Sequence, residues 1–434
     1  MLRNILLGAG AFAALFSILI FSGKLPIGSN NTANSPQGEV ILWGTLPDVD
    51  MNKIVQAFNP QAKTYRVTYK QVREDVFAKT LVEALASGTG PDMIMAPQQI
   101  ILSQEARLYP FPIASLSEKS FKDAYVDGAS LFSTPLGAIA LPVSIEPMVL
   151  FYNRTLFSKQ GIVGPPTTWD DVMSIVPRLT ILNTKGQFVE SGIALGAPNT
   201  PYAKDILMAI VSELGQTPVL KQYNQDGSSA IGVLANISPT NTNDVLPLSS
   251  ALRFFTQFAD PTKITYSWNQ FSGNADDIFV AEKLAMYIGY SGELNTLKAR
   301  NPRGDFEMTY LPQAKGYNTF STGARMYGIA TLKSSKNPTA ALNVEAQFSG
   351  AGVSPSISAI IGAVPALRTY STTSGLNDII SRSMLVAKGW YDSYPEDSDA
   401  YTSAMISDVL NNRASVSDAS SIFVSRLQDL YTHP

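Results

Sequence analysis

From residue 39 the chain alternates short apolar runs with stretches whose apolar positions recur every three or four residues, a rhythm that predicts alternating strands and helices. Residues 39–43 form a short apolar strand ending in Trp43. Met51, Ile54, Val55 and Phe58 then share one helical face, and 65–69 alternates as a second strand. A second helix spaces Phe77, Leu81 and Leu85 four apart, stops at Gly88, and leads through Thr89-Gly90-Pro91-Asp92 into the apolar triplet 93–95. Further on, 141–143 reads as a short strand leading to a solitary carboxylate, Glu146, and 148–152 as a continuous apolar run suited to a buried strand. Asn153 starts a short helix and Gly161 stops it. Pro165-Pro166 holds the chain extended before Thr168, whose hydroxyl can cap the next helix with Asp171 three positions on. Trp169 falls in that first turn and is assigned to structure.

The segment 141–171, LPVSIEPMVLFYNRTLFSKQGIVGPPTTWDD, resembles a signature of extracellular solute-binding proteins of the maltose or sugar type, the capture components of ABC importers. The shared order is an apolar strand, Tyr-Asn, a Phe-containing turn, Gly-Ile, then Pro-Pro-x-Thr-Trp-Asp. Gly-x-Gly-Pro-Asp before a buried strand, at Gly88 to Asp92, is a second hallmark of the family. Other segments fit the same resemblance: 279–288 as a helix entering a strand, 289–292 as a ligand-facing loop, 306–312 and 327–332 as strands, and 337–348 as a helix with Ala340, Ala341 and Val344 inward. Residues 361–365 fit the family's Gly-x-x-Pro segment, and 401–410 and 417–430 two closing helices. The polar, Gly/Asn/Ser/Thr-rich tract 222–250 reads as a loop.

The resemblance implies an α/β, two-lobed periplasmic-binding-protein-like fold with a ligand cleft and hinge between the lobes. Crossings are expected near 141–146, 306–312 and 349–354. They divide the chain into one lobe of 38–143 plus 308–350 and another of 144–307 plus 351–434. Open α/β sheets bind ligands beyond the carboxyl ends of their strands, which selects Trp43, Thr45, Gln98, Glu146 and Tyr290 as site candidates. Tyr202 is added because Thr200-Pro201-Tyr202 resembles a Pro-Tyr ligand segment of maltose-type relatives. Trp268 and Trp390 join as aromatics able to stack on a sugar ring. Each has a rival role in packing or, for Glu146, in a structural salt bridge. Where maltose-type relatives carry Trp and Asp after the Pro-Asp strand, this chain has Ala96 and Gln98-Gln99, and where they carry a Trp after the Ala-Met strand it has Gly292. The exact sugar is therefore not carried over.

Composition narrows the function. The 434 residues suffice for two well-filled cores. Lys+Arg at 32 against Asp+Glu at 35, with no basic tract, leaves no footprint for nucleic acid. With no cysteine the chain has no disulfide, no thiolate nucleophile and no lipid-attachment cysteine. The only histidine, His433, lies in the terminal tail, which leaves Ser-His-Asp chemistry without a base. A carboxylate-pair glycosidase needs a second acid facing Glu146, and sequence identifies none. The glycines at 88 and 90 lack the Lys-Ser/Thr pair of a phosphate loop. Glu396, Asp397 and Asp399 lack calcium-loop spacing and read as a solvated acidic turn. The expectation is a binding protein without catalytic residue, metal or cofactor.

At the N-terminus, Arg3 precedes an uncharged apolar run over 5–21, a helix of about 25 Å against a ~30 Å hydrocarbon core. No small-x-small site follows, which favours an uncleaved anchor within 1–27 over a removable signal. Residues 28–37, rich in Asn and Ser, then read as a tether of up to ~35 Å. The expected location is the extracytoplasmic face of the membrane, or periplasmic or secreted if the segment is cleaved. Expected partners are a small solute and ABC permease subunits, with the protein itself a monomer. An oligosaccharide or glycoside is the leading solute because the candidates are aromatic and uncharged polar groups plus one carboxylate. Peptide, polyol and polyamine remain open, as does a receptor that signals to a membrane sensor.

Overall fold

The computed structural model describes residues 38–62, 64–223, 229–233, 247–316, 320–372 and 377–433. The expected anchor over 1–27 and tether over 28–37 lie outside them. Among the described residues no helix is long and apolar enough to cross a membrane.

The first lobe opens with β1 (Glu39–Gly44), α1 (Asp48–Phe58), β2 (Arg66–Gln71), α2 (Phe77–Ala86), β3 (Met93–Pro97) and α3 (Gln98–Ser103). β1 pairs in parallel with both β2 and β3. Strand alternation decides which side chains meet which helices. Val40 and Leu42 join Met51, Val55 and Phe58 of α1 in one core, whereas Trp43 joins Ile94 and the α2 residues Phe77 and Leu81 in the other. Asp92, just before β3, clamps the lobe together. Its carboxylate accepts from the Ile41 amide at 2.9 Å, the Ser335 hydroxyl at 2.7 Å and the Lys336 amide at 2.9 Å, which gives the Pro-Asp motif a structural reason.

β4 (Leu141–Asn153) is one continuous strand of 13 residues, where the sequence suggested two runs on either side of Glu146. Proline lacks the N–H that a ladder needs, yet this strand accommodates two. Pro142 sits beside a register irregularity at Tyr327/Gly328, and Pro147 marks the point where β4 changes partners. The second lobe follows with α4 (Trp169–Leu179), β5 (Phe188–Ile193), α5 (Ala203–Glu213), β6 (Leu284–Tyr290) and β7 (Phe306–Tyr310). Thr168 and Asp171 form the reciprocal capping box expected at the start of α4, and Trp169 donates its Nε1–H to Glu213 at 2.9 Å as a core residue. Then come β8 (Thr322–Leu332), α6 (Pro338–Ser349), α7 (Ser354–Ile361), α8 (Pro395–Leu410) and α9 (Val416–Thr432). The sheet order is β2-β1-β3-β8-β4-β6-β5, so β8 and β4 lie at its centre and join the lobes.

Three expectations require correction. The segment 306–312 does not cross: β7 stays in the second lobe, paired with the far half of β4 through Met308 and Phe151. The crossing strand is β8. Its start pairs with Ala387 and Lys388, its middle with β4, and its end with β3 through Thr331 and Met93. Nor does 349–354 cross, since Phe348 and Ile357 share the Val40 core, the strand Val364–Pro365 pairs with β4, and Arg368 forms an ion pair with Asp127. Resemblance at the level of single segments marks a strand or helix but not its partners, and the partners decide where the chain crosses. Finally, the tract 222–250 contributes to a hairpin of Val219–Tyr223 with Ser229–Val233 and starts a helix at Pro247, while 224–228 and 234–246 lie outside the described residues.

Glu345 of α6 is fully buried in the first lobe, where its Oε2 accepts from the Thr331 amide at 3.1 Å and the Thr331 hydroxyl at 2.7 Å. Burial pushes its pKa from 4.5 up to about 8, the hydrogen bonds opposing only in part. The folded chain therefore holds this proton where the unfolded chain has released it. Its stabilisation is fully present below pH 4.5 and is lost as pH rises through about 8. Glu345→Gln, which cannot ionise, is expected to flatten the decline of denaturant-midpoint stability between pH 5 and 9. Parallel pH profiles for the variant and the parent would contradict this assignment.

Candidate ligand-binding cleft

A cavity of about 1110 Å³ opens between the lobes. Glu74, Gln99 and Ser103 line it from the first lobe, Tyr202, Tyr290 and Tyr394 from the second, and Glu146 and Arg325 from the crossing strands. Glu146 on β4 and Arg325 on β8 are direct cross-strand partners, and the Arg325 Nε–H donates to Glu146 Oε2 at 2.5 Å. Burial would lower the pKa of Arg325, but the Glu146 carboxylate outweighs it and the net shift is upward. The pair is the charged centre of an otherwise apolar junction.

Beside it stands an aromatic corner. The Arg325 guanidinium lies 4.3 Å from the Tyr290 ring centroid, and Tyr290 meets Tyr202 edge to face at 4.9 Å and 75°. Tyr202 precedes α5 with a φ of 56°, a left-handed conformation that a bulky residue adopts only when its surroundings hold it. The Tyr290 hydroxyl donates to Asp205 Oδ2 at 2.9 Å, and the Trp390 indole donates to Asp205 Oδ1 at 3.3 Å. Burial raises the pKa of Asp205, and burial together with Asp205 raises that of Tyr290, so the phenol stays protonated and donating. Neighbouring Lys204, nearly buried, contacts Asp392 Oδ2 and Asp399 Oδ1 at 2.8 Å each, Ser398 Oγ at 2.9 Å and the Pro395 carbonyl at 3.1 Å. Burial works against its charge, but Asp392 and Asp399 prevail and its net pKa shift is upward. This ties the first turn of α8, with Glu396 and Asp397, to the cleft wall.

The eight sequence candidates separate accordingly. Glu146, Tyr202 and Tyr290 line the cavity together. Trp390 sits behind Tyr290 as a partner of Asp205, and Thr45 stands behind Tyr327, a lining residue, with their hydroxyls 3.0 Å apart. Gln98 is a correction: it is 2% exposed, its Oε1 accepts from the Met326 amide at 3.1 Å, and its neighbour Gln99 faces the cavity. Trp43 is a second correction, because strand alternation turns it into the α2 core, where Lys70 Nζ covers its ring at 4.4 Å. Trp268 is a third, fully buried among Ala194, Ala197, Ala259, Phe279 and Tyr287 of the second lobe. Sequence reasoning missed Arg325, Asp205 and Lys204. Arg325 gave the same signal as Glu146, one charge within an apolar strand.

Residues 53–344, well over half of the chain, match the family described as bacterial extracellular solute-binding protein. The chain belongs to that family. This solute-binding protein is 28% identical over 211 residues to the osmoprotective compounds-binding protein GgtB of Synechocystis sp., an alignment covering 46% of this chain and 48% of the relative. The match thus spans about half of that relative's length. Among solved structures, the cyclic alpha-maltosyl-1,6-maltose binding protein of Arthrobacter globiformis superposes with a TM-score of 0.72 at 16% identity, covering 91% of this chain and 99% of that one. The ABC transporter solute-binding protein of Thermotoga lettingae bound with alpha-D-tagatose gives 0.63 at 19%, covering 91% and 100%. At these identities the likeness shows the two-lobed fold.

If Trp43 and Trp268 are packing residues, Trp43→Ala and Trp268→Ala each cost about 3–5 kcal/mol of stability while leaving solute affinity within twofold of the parent. Scanning calorimetry paired with solute titration checks this. Either variant keeping its melting temperature but losing affinity would return that residue to the cleft.

Proposed function

We propose that this solute-binding protein captures an uncharged carbohydrate, an oligosaccharide or glycoside, by hinge closure and delivers it to an ABC-type permease. The observation that carries the reading is the cleft floor, where an aromatic corner of the second lobe meets a hydrogen-bonding ion pair carried by the two strands that join the lobes. Aromatic faces suit the apolar faces of sugar rings, and polar groups at the floor suit hydroxyls. The names of the superposable proteins, which bind a cyclic maltosyl-maltose and tagatose, support the same class. A solute touching both lobes binds the closed form better and shifts the population toward it. We infer binding without transformation, at the extracytoplasmic face and as a monomer, with the segment 1–27 as the membrane attachment. The ligand contacts we propose are Tyr202, Tyr290 and Arg325, the last held in place by Glu146.

Charge favours a second reading. The lining holds seven acids, Glu74, Asp75, Glu146, Asp205, Glu396, Asp397 and Asp399, against two bases, Lys204 and Arg325. Such a cleft repels anions and would accept a cationic solute such as a polyamine. Calorimetric titration with maltotriose, cellotriose, trehalose, raffinose, trigalacturonate and spermidine, followed by mass analysis of each solute, separates the cases. The expected result is saturable binding of an intact neutral sugar and none of trigalacturonate. Spermidine alone binding would replace the carbohydrate by a cation, and a cleaved sugar would contradict a pure binding role.

A further inference from the structure

We propose that Arg325, and not Glu146, is the residue that reads the solute at the hinge, and that Glu146 is a positioning residue acting through it; this rests on the carbohydrate reading above. The two side chains face the cavity very unequally. Only 3% of the Glu146 side chain is exposed, against 37% of Arg325. Glu146 Oε2 is occupied by the Arg325 Nε–H. Its Oε1 lies so close to Gly292 that a Cβ on that residue would stand 2.5 Å away, with the Gly362 carbonyl at 2.4 Å closing the same space. On the Gly292 side that oxygen is closed, and little of the carboxylate faces the cavity. Gly292, at the position where maltose-type relatives carry a tryptophan, thus leaves space for the buried carboxylate.

Arg325 is held on three sides. Glu146 takes its Nε edge, the Tyr290 ring lies against its face at 4.3 Å, and the Tyr202 ring centroid stands 6.0 Å from the guanidinium carbon. A guanidinium carries five N–H donors in a rigid plane. Those partners leave donors over, and the exposed surface of the side chain is part of the cavity lining. The result is a pre-ordered fork that loses little freedom on binding. Its spacing fits two adjacent acceptor oxygens, such as neighbouring hydroxyls or a hydroxyl and a ring oxygen. A carboxylate offers the same spacing, but the surplus of acids around the cleft discriminates against it. The fork therefore selects uncharged vicinal oxygens, and it does so on β8, a strand that belongs to both lobes.

The test uses Glu146→Gln, Arg325→Met, Arg325→Lys and the double variant E146Q/R325M, each titrated with maltotriose, cellotriose, trehalose and raffinose and each melted without solute. Arg325→Met is expected to weaken the best-bound sugar on the order of 10- to 100-fold. Glu146→Gln should weaken binding in the parent but add nothing in the Arg325→Met background, because a residue acting through another loses its effect when that other is gone. The double variant should regain the thermal stability that Arg325→Met loses by leaving a buried carboxylate unpaired, without regaining affinity. Arg325→Lys should keep stability and recover affinity only in part, since an ammonium lacks the fork. Multiplying effects of the two single changes would make Glu146 an independent contact and overturn the proposal. So would affinity returning together with stability in the double variant. If the parent binds none of the four sugars, the carbohydrate reading fails by itself. Butanedione labelling read by mass spectrometry then still decides the geometry: labelling of Arg325 supports an open fork, and protection overturns it.

Discussion

The antiparallel pairing of β4 with β8 is the constraint on which the molecule depends. Both strands run from one lobe into the other, and their register sets Glu146 directly opposite Arg325. A one-residue slip in a sheet turns every side chain to the other face. In this protein a slip would bury Arg325 in the apolar core and take Glu146 from its partner. Register here is therefore enforced twice, by the burial of β4 at every position but Tyr152 and by the cost of separating two opposite charges in a poorly solvated place. The same register fixes where the lobes can pivot, because the paired segment is their shared backbone.

Around this axis the second lobe assembles a set of interlocked polar contacts. Asp205 holds Tyr290 and Trp390, Tyr290 braces Tyr202 and Arg325, and Lys204, next in sequence to Asp205, holds the start of α8. Two consecutive residues of α5 thereby organise both the aromatic corner and the acidic rim. The lobes touch elsewhere too. Glu105, which follows α3, meets Lys221 Nζ at 2.5 Å and accepts from the Tyr391 hydroxyl at 2.9 Å. Contacts between the lobes outside the cleft thus contribute to holding them in this arrangement.

Much of this was legible in the sequence where the signal is local. The α4 capping box, the Asn153 cap with its Oδ1 accepting from Leu156 at 3.1 Å, the β-α-β opening and the two closing helices all follow from short spacings. What sequence could not supply was pairing. The family resemblance placed the second crossing at 306–312, although β7 and β8 look alike until their partners are known. Sequence reasoning grouped aromatics by type, although Trp43 and Trp268 are turned inward by strand parity and by packing while Tyr202 is turned outward by a strained backbone. Arg325 was legible in principle: a lone charge in an apolar strand, like Glu146, demands a partner. Each was the other's explanation, and only the register joins them.

A neutral solute bound at the hinge is expected to close the lobes. Small-angle X-ray scattering of the purified protein, recorded as the best-bound sugar is titrated to saturation, tests it most directly. The radius of gyration is expected to fall in step with calorimetric occupancy and to recover when the sugar is dialysed away. An unchanged radius at full occupancy would show that the solute binds without moving the lobes, and would contradict it.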